Sequence, residues 1–243
     1  MQATQSYNTA LWDTWQNDCQ TLDAPLTDAQ RNLFEHFYTQ LLEANQQVNL
    51  TRITAEEDFL YRHLLDSLAI VPWIPANARL ADIGSGAGFP AIPISIVRPD
   101  VQVVAVESIG KKCKFIEAVQ ENLQLSHLTV NNERSENLGQ KPEFREQMDI
   151  VTARAVAALP VLLELCLPLL KVGGLFLAMK GLSYETELSA SNQALKKLGG
   201  KFKEEISFAH SKLEGSRVLI FEKITPTPKA YPRPAGTPAK NPL

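Results

Sequence analysis

Cysteine is scarce in this sequence. Three cysteines, Cys19, Cys113 and Cys166, are spread over 243 residues. An odd number of widely spaced cysteines does not provide a disulfide framework and is typical of free thiols in a reducing compartment. We therefore expect a cytoplasmic protein with mostly buried thiols.

Histidine is also rare. The sequence holds His36, His63, His127 and His210, and no two of them lie within four residues of each other. No histidine and cysteine share the spacing of a zinc site. We expect no metal site.

Long apolar runs are missing as well. The longest candidate, residues 155–170, is interrupted by Pro160, Glu164 and Pro168, so it is shorter than the roughly 18 apolar residues that a membrane span needs. Residues 1–5 contain no basic stretch followed by an apolar one. We expect neither a membrane span nor a secretory signal.

The net charge is −3, from 24 basic and 27 acidic residues. A slightly negative net charge does not by itself indicate binding to nucleic acid. An acidic protein can nevertheless bind RNA when its cations are clustered, so the charge excludes no RNA substrate.

The first part of the chain has helical patterns. Thr27 and Gln30, and again Thr54 and Glu57, have the spacing of a capping box, which predicts the start of a helix at each place. Each box is followed by apolar residues at helical spacing, and Pro72 and Pro75 end the second helix. We predict a helical extension over residues 1–76.

Strands and helices alternate from Arg79 onward. Such alternation predicts a parallel sheet covered by helices on both faces. The expected strands span residues 79–83, 101–106, 128–131, 149–153, 175–179, 202–208 and 217–223. The expected helices span residues 90–97, 111–123, 159–170 and 185–198. The last two strands have no helix between them, which predicts a closing antiparallel hairpin within a core over residues 77–224.

The final segment, residues 225–243, is proline-rich and basic, with no acidic residue. Proline disfavours helix and central strand, so we expect an extended tail. Two interpretations remain open: a frayed terminus, or a basic arm that follows an RNA backbone.

A glycine-rich turn follows the first predicted strand, at Gly84, Gly86 and Gly88. The position at which a dinucleotide site has its third glycine holds Phe89. Asp82 precedes the turn, and Glu107 closes the next strand, close to the interval at which an acid reaches ribose hydroxyls. This arrangement resembles the S-adenosylmethionine site of a Rossmann-like methyltransferase.

Further motifs make the resemblance specific. They include Asn49-Leu50-Thr51, the segment from Arg62 to Leu68, Arg98-Pro99, Lys111-Lys112, Ala153-Arg154-Ala155, Lys180-Gly181, Tyr231-Pro232-Arg233 and Gly236-Thr237-Pro238. With the glycine turn, they resemble the small-subunit ribosomal RNA (guanine-N7) methyltransferase G family, also called glucose-inhibited division protein B. The resemblance extends from about residue 30 to the C-terminus.

The resemblance implies an α/β fold of the S-adenosylmethionine-dependent class: a mostly parallel seven-stranded sheet with an antiparallel hairpin. It implies methyl transfer to N7 of a guanine in 16S ribosomal RNA, either free or in a small-subunit particle, by a monomer. The cofactor contacts would be Gly84, Phe89, Glu107, Ser108, Ile109, Ser135, Glu136 and Arg154. The backbone of Ser135, not its side chain, would bind. Candidate substrate contacts are His63, Lys180 and Arg233.

N7 of guanine carries a lone pair and no proton, so its methylation requires neither a general base nor an enzyme nucleophile. We accordingly assign no catalytic residue of either kind. The sequence after the fourth strand lacks the Asn-Pro-Pro-aromatic motif of adenine amino-group enzymes. Cys166 is predicted to lie deep in an apolar helix, and Cys113 at the second of the helices between the strands, which the cofactor pocket does not use. We therefore expect neither to act as the nucleophile of a cytosine C5 enzyme.

Three alternatives remain at this point. The first is a methyltransferase of the same fold that acts on another RNA, a small molecule or a protein. A nucleotide-binding oxidoreductase is disfavoured by Phe89 in place of glycine. A non-enzymatic division factor, suggested by the older family name, has no support in the residues themselves.

Overall fold

The computed structural model describes residues 7–243; the segment at residues 1–5, where no secretory signal was expected, lies outside them. Four α-helices of the described chain precede the sheet; a π-helical stretch, Phe59–Leu65, joins the third to the fourth, and a 3-10 helix, Val71–Trp73, follows the fourth. The four α-helices are α1 (Thr9–Gln20), α2 (Asp28–Asn45), α3 (Glu56–Asp58) and α4 (Asp66–Leu68).

The sheet has the seven strands expected from the sequence. They are β1 (Arg79–Ile83), β2 (Gln102–Val106), β3 (Leu128–Asn131), β4 (Met148–Arg154), β5 (Leu170–Lys180), β6 (Gly200–Ser207) and β7 (Arg217–Lys223). Their order is β3-β2-β1-β4-β5-β7-β6. The first five are parallel, and β7 is antiparallel to both β5 and β6. The fold prediction, including the antiparallel hairpin, is confirmed.

Seven further helices lie between the strands or after them. They are α5 (Ala91–Val97), α6 (Gly110–Asn122), α7 (Ser135–Leu138), α8 (Leu159–Cys166), α9 (Tyr184–Ala190), α10 (Asn192–Leu198) and α11 (Thr237–Lys240). The expected helix over residues 185–198 is divided in two at Ser191.

Both faces of the sheet are buried. Successive residues of a strand point to opposite faces, so alternate residues enter different cores. In β1, Leu80 joins the core that contains α1, α2, α5 and α6, whereas Ala81 and Ile83 join the core beneath α8 and α10. The N-terminal helices thus share one core with the sheet. The division at residues 76 and 224 stays a prediction.

Helix α1, for which no family signal was found, is fixed by tryptophans. Trp12, Trp15 and Cys19 are fully buried on one face of it. The indole nitrogen of Trp12 donates to Glu56 at 2.7 Å, and the ring of Trp15 meets that of Phe34 edge-on at 5.4 Å. These contacts tie α1 to α2 and α3.

One of the two expected capping boxes is present. The side chains of Thr27 and Gln30 each accept from the other residue's backbone N–H. The second is wrong: the N-cap of α3 is Ala55, without a side-chain hydrogen bond, and the carbonyl of Thr54 accepts from Tyr38.

The proline-rich tail is neither frayed nor a free arm. Arg145 donates to the carbonyls of Thr227 and Tyr231, at 2.7 and 2.8 Å. Gln140 donates to the carbonyl of Pro232 at 2.8 Å. The tail also forms α11, since a short helix can begin with proline in its first turn. The expectation of a frayed or freely extended tail is therefore wrong; contact of the packed tail with RNA stays a prediction.

None of the helices in the described part of the chain is long and apolar enough to cross a membrane.

Candidate functional site

The glycine turn lies at the carboxyl end of β1, between Ile83 and α5. Gly84, Gly86 and Gly88 have positive φ angles of 71°, 61° and 89°, which disfavour any side chain. A Cβ atom on Gly84 would lie 2.5 Å from Cγ2 of Val156. Val156 therefore packs directly against Gly84, and no larger residue fits at this position, which lines the cavities described next.

Glu107 lies just beyond β2 and holds the turn in place. Its Oε2 accepts from the backbone N–H of Gly86 at 3.0 Å, and its Oε1 from that of Ile109 at 2.8 Å. A carboxylate has about four acceptor positions, so each oxygen keeps one for a ligand. The side chain is nearly buried, at 6% exposure, which strengthens such hydrogen bonds.

Two adjoining cavities surround this acid. The larger, about 410 Å³, is bordered by the turn, Glu107, the start of α6, the end of β4 and the loop before α3. The smaller, about 80 Å³, shares Gly84 and Glu107 with it and extends toward α7.

The structure brings together all eight residues predicted to contact the cofactor. Gly84, Phe89, Glu107, Ser108, Ile109 and Arg154 line the larger cavity, while Ser135 and Glu136 line the smaller one. Their contact with a cofactor stays a prediction.

The side chains of Ser135 and Glu136 serve the fold. The hydroxyl of Ser135 donates to the carbonyl of Leu165 at 2.7 Å, and Glu136 accepts from the backbone N–H of Gly236 at 2.9 Å. A contact through the backbone of Ser135, as expected, is compatible with this geometry.

Arg154, the last residue of β4, is held by the N-terminal helices. One guanidinium nitrogen donates to Asp66 and to the carbonyl of Arg62, both at 3.1 Å. The other donates to Nδ1 of His63 at 2.9 Å. The guanidinium carbon lies 5.3 Å from the centre of the Phe89 ring. These contacts fix the cation at the edge of the larger cavity.

His63 has both ring nitrogens engaged. Because a guanidinium can only donate, Nδ1 accepts and Nε2 carries the proton; Nε2 lies 3.1 Å from the hydroxyl of Thr51. Burial, together with the charges of Arg154 and Arg62, lowers the pKa of His63 to about 3. The imidazole lines the cavity, and its Nδ1 positions Arg154; contact of His63 with the substrate stays a prediction.

Asp82 supports the turn from below and borders neither cavity. It is fully buried; Oδ1 accepts from the hydroxyl of Thr152 at 3.0 Å, and Oδ2 has no partner among residues 7–243. Burial raises the pKa of this carboxyl to about 6. Asp82 and Glu107 therefore differ in role, although the sequence presented them as a pair.

Lys180, predicted to touch substrate, borders a third cavity of about 300 Å³ together with Arg154 and Ala155. Its ammonium pairs with Glu187 at 2.6 Å and donates to the carbonyl of Ala157 at 3.1 Å. Ala155 has a φ angle of 54°, a strained conformation for alanine, at the point where this cavity meets the larger one.

Arg233, predicted to contact the substrate, forms an ion pair inside the protein. Its guanidinium pairs with the fully buried Glu164, at 2.6 to 3.1 Å, and donates to the carbonyl of Asn241. A buried carboxylate needs such a partner. Arg233 therefore anchors the tail; its contact with the substrate stays a prediction.

Several cavity residues were missed. Thr51 and Val156 border the larger cavity, and Glu187 the third. Thr51 stood in a matching motif without a role, whereas nothing in the local sequence marks Val156 or Glu187.

None of the three cysteines borders these cavities. All three are buried, free thiols, and burial raises the pKa of each. Among the described residues, no three His, Cys, Asp or Glu side chains converge as a metal-binding group.

Solved structures with a similar fold include methyltransferases. The structure of M. jannaschii TYW2 in complex with AdoMet has a TM-score of 0.52 and 15% identity, over 71% of this chain and 80% of that one. The 16S rRNA (adenine(1408)-N(1))-methyltransferase from Catenulisporales acidiphilia has a TM-score of 0.51 and 16% identity, over 62% and 90%. At these identities the likeness concerns the fold alone.

Sequence relatives are much closer. The ribosomal RNA small subunit methyltransferase G of Halalkalibacterium halodurans is 47% identical over 221 residues, 90% of this chain and 93% of the relative. That of Bacillus subtilis is 43% identical, over 90% and 92%. The sequence profile described as rRNA small subunit methyltransferase G matches residues 30–219. The chain belongs to the rRNA small subunit methyltransferase G family, as the sequence motifs predicted.

Proposed function

We propose that this protein transfers the methyl group of S-adenosylmethionine to N7 of one guanine in 16S ribosomal RNA. The observation that carries the proposal is the placement of Glu107 against the glycine turn, beside a cavity that reaches Arg154. In a family of rRNA methyltransferases, this arrangement is best explained as the site of the methyl donor.

The residues fit such a donor. Gly84 lines both cavities without a side chain, and the free acceptor positions of Glu107 suit a pair of ribose hydroxyls. A volume of about 410 Å³ lies within the usual range of small-molecule sites. Ser108 and Ile109 border the cavity beyond the acid.

S-adenosylmethionine, when bound, supplies a methyl group on a positively charged sulfur that a lone pair can attack. The protein then needs to hold the guanine in line with that methyl group. It does not need to remove a proton, because N7 carries none. His63 is consistent with this: it stays neutral, and both its nitrogens are occupied.

We propose that Arg154, besides its predicted contact with the cofactor, orients the substrate. It borders both the larger and the third cavity, and a guanidinium there can donate to guanine O6 or to a flanking phosphate. Asp66 and His63 fix its position, so little conformational entropy is lost when the substrate binds.

The substrate guanine must be accessible. In an A-form helix the major-groove edge that carries N7 is too deep and narrow to reach. We therefore propose that the target lies in a single-stranded segment or is turned out of its stack.

We further propose that the protein acts as a monomer in the cytoplasm. Three free buried thiols among the described residues are compatible with a reducing compartment. Sedimentation velocity with and without rRNA tests the oligomeric state.

Transfer of radiolabel tests the proposal. Tritiated S-adenosylmethionine is incubated with the protein and either 16S rRNA, small-subunit particles or a metabolite extract, all from a strain that lacks this protein. We expect label in the rRNA or the particle, and their ratio identifies the substrate form. Label only in small molecules would contradict the assignment.

A further inference from the structure

We propose that the cavity of about 300 Å³ beside Arg154 binds the guanine base, and that Lys180 and Glu187 read its Watson–Crick edge. The inference rests on the proposed function and names the residues that select guanine.

The position of the cavity suits a base that receives a methyl group from the donor. It lies where β4 and β5 end, the side on which open α/β sheets bind ligands. Arg154 and Ala155 border it and also border the larger cavity assigned to the methyl donor. A planar base in the third cavity would thus lie directly beside the donor.

The hydrogen bonds of Lys180 also support the proposal. An ammonium group has three hydrogens. One is donated to the carbonyl of Ala157, and the ammonium also forms an ion pair with Glu187; even if that pair takes a second hydrogen, one is left for a ligand. The side chain is only 12% exposed, so an acceptor in the cavity would meet a cation with little competing water.

The hydrogen bonds of Glu187 support the proposal as well. Its Oε2 forms an ion pair with the ammonium of Lys180 at 2.6 Å and accepts from the backbone N–H of Leu159 at 2.7 Å. Within the described residues, Oε1 accepts no hydrogen bond in the structure. A half-buried carboxylate oxygen with free acceptor positions, in the wall of a cavity, is suited to a ligand that donates.

Guanine matches this pair. Its Watson–Crick edge presents the O6 acceptor next to the N1–H and N2–H₂ donors, so Lys180 can donate to O6 while Glu187 accepts from N1 and N2. Adenine reverses the pattern, with a donor at position 6 and an acceptor at N1, and would leave the remaining hydrogen of Lys180 and Oε1 of Glu187 without a hydrogen bond to the base. N7 lies on the other edge of guanine and remains free for the methyl group.

Inosine tests the pair because it is guanosine without the 2-amino group. Two versions of an rRNA fragment are assembled, one with guanosine and one with inosine at the methylated position, and kcat/KM for tritium transfer is measured. For the parent protein we expect inosine to lower kcat/KM about tenfold, the value of one hydrogen bond to a charged group.

The variant Glu187→Gln keeps an acceptor for Leu159 but loses the carboxylate. We expect it to methylate guanosine about tenfold less efficiently and to show little further loss with inosine. If Glu187 had a purely structural role, the substitution would lower kcat/KM for guanosine and inosine by the same factor, and the inosine effect would stay as large as in the parent protein. Glu185→Gln, an exposed position on the same helix, is the matched control and should retain the full inosine effect. Calorimetry should show unchanged affinity for S-adenosylmethionine in both variants.

Two results would overturn the inference. One is equal efficiency of the parent protein on guanosine and inosine, which requires no variant. The other is the same inosine effect in Glu187→Gln as in the parent. If the parent protein produces no N7-methylguanine in the guanosine fragment, the proposed function itself is wrong, and the two failures are thereby distinguished.

Discussion

The imidazole of His63 lies flat against the ring of Phe89, with centroids 4.3 Å apart and planes inclined by 12°. His63 belongs to the π-helical stretch, and Phe89 ends the glycine turn. This stack joins the N-terminal helices to the turn, and Arg154 lies over the same Phe89 ring. The N-terminal helices therefore form part of the candidate site.

Gly84→Ala should weaken cofactor binding at least about tenfold. The new methyl group would meet Val156 at 2.5 Å, and alanine at a φ angle of 71° adds about 1–3 kcal/mol of strain. Calorimetry with S-adenosylmethionine measures the effect.

The control is Gly215→Ala, since a Cβ there meets nothing within 4 Å and Gly215 borders only the third cavity. An unchanged affinity in folded Gly84→Ala would contradict the placement of the donor beside the turn.

The pH dependence of stability should report on His63. Its pKa is about 3 in the folded protein, below the value of about 6.5 in the unfolded chain. The unfolded state thus binds the proton more readily, and the free energy of unfolding falls as pH decreases below about 6.5. Between about pH 7.5 and about pH 5.5 the loss from this group is about 1 kcal/mol.

Urea unfolding of the parent and of His63→Gln at these two pH values checks the effect. The variant should lose less stability on acidification. The comparison cancels the opposite contribution of Asp82, whose raised pKa makes stability fall as pH rises through about 4 to 6. Equal slopes in the two proteins would show that His63 is not held neutral.

Arg154→Ala should lower kcat by about 100-fold, because loss of the cation leaves the guanine poorly aligned. Arg154→Lys should recover little, since an ammonium cannot reproduce the contacts to Asp66 and His63 together. Single-turnover kinetics at saturating S-adenosylmethionine separates turnover from cofactor affinity.

Arg62→Ala serves as the control. The Arg62 side chain is exposed, and only its backbone carbonyl contacts Arg154. Full turnover by Arg154→Ala would contradict a role of Arg154 in orienting the substrate guanine.

Arg233→Ala should destabilise the fold by about 3–5 kcal/mol, because the carboxylate of Glu164 would remain buried without its partner. Lys240→Ala, an exposed position in the same tail, should change stability by less than about 0.5 kcal/mol. Chemical denaturation measures both. A stable Arg233→Ala with weaker rRNA binding would instead restore the basic-arm interpretation.

The sequence predicted the parts of the site that depend on local pattern. Strand alternation gave the sheet, and the spacing of Glu107 from the glycine turn identified the acid that now contacts Gly86. The family resemblance identified Arg154 and Lys180, which end β4 and β5 in the structure.

Long-range pairings were not predictable. Glu164 stands in an apolar helix, and its partner Arg233 is 69 residues away. The contact of His63 with Arg154 joins residues 91 positions apart and depends on a π-helical turn that periodicity does not reveal. Such contacts result from tertiary packing, which the local pattern does not encode.

The position of the methyl group in 16S rRNA distinguishes transfer to guanine N7 from transfer to any other atom. Borohydride reduction followed by aniline cleaves RNA at N7-methylguanine. We expect one cleavage in 16S rRNA from cells that contain this protein, none in rRNA from cells that lack it, and its return when purified protein and S-adenosylmethionine are added. Labelled methyl groups that enter the rRNA without any such cleavage would contradict the N7 assignment.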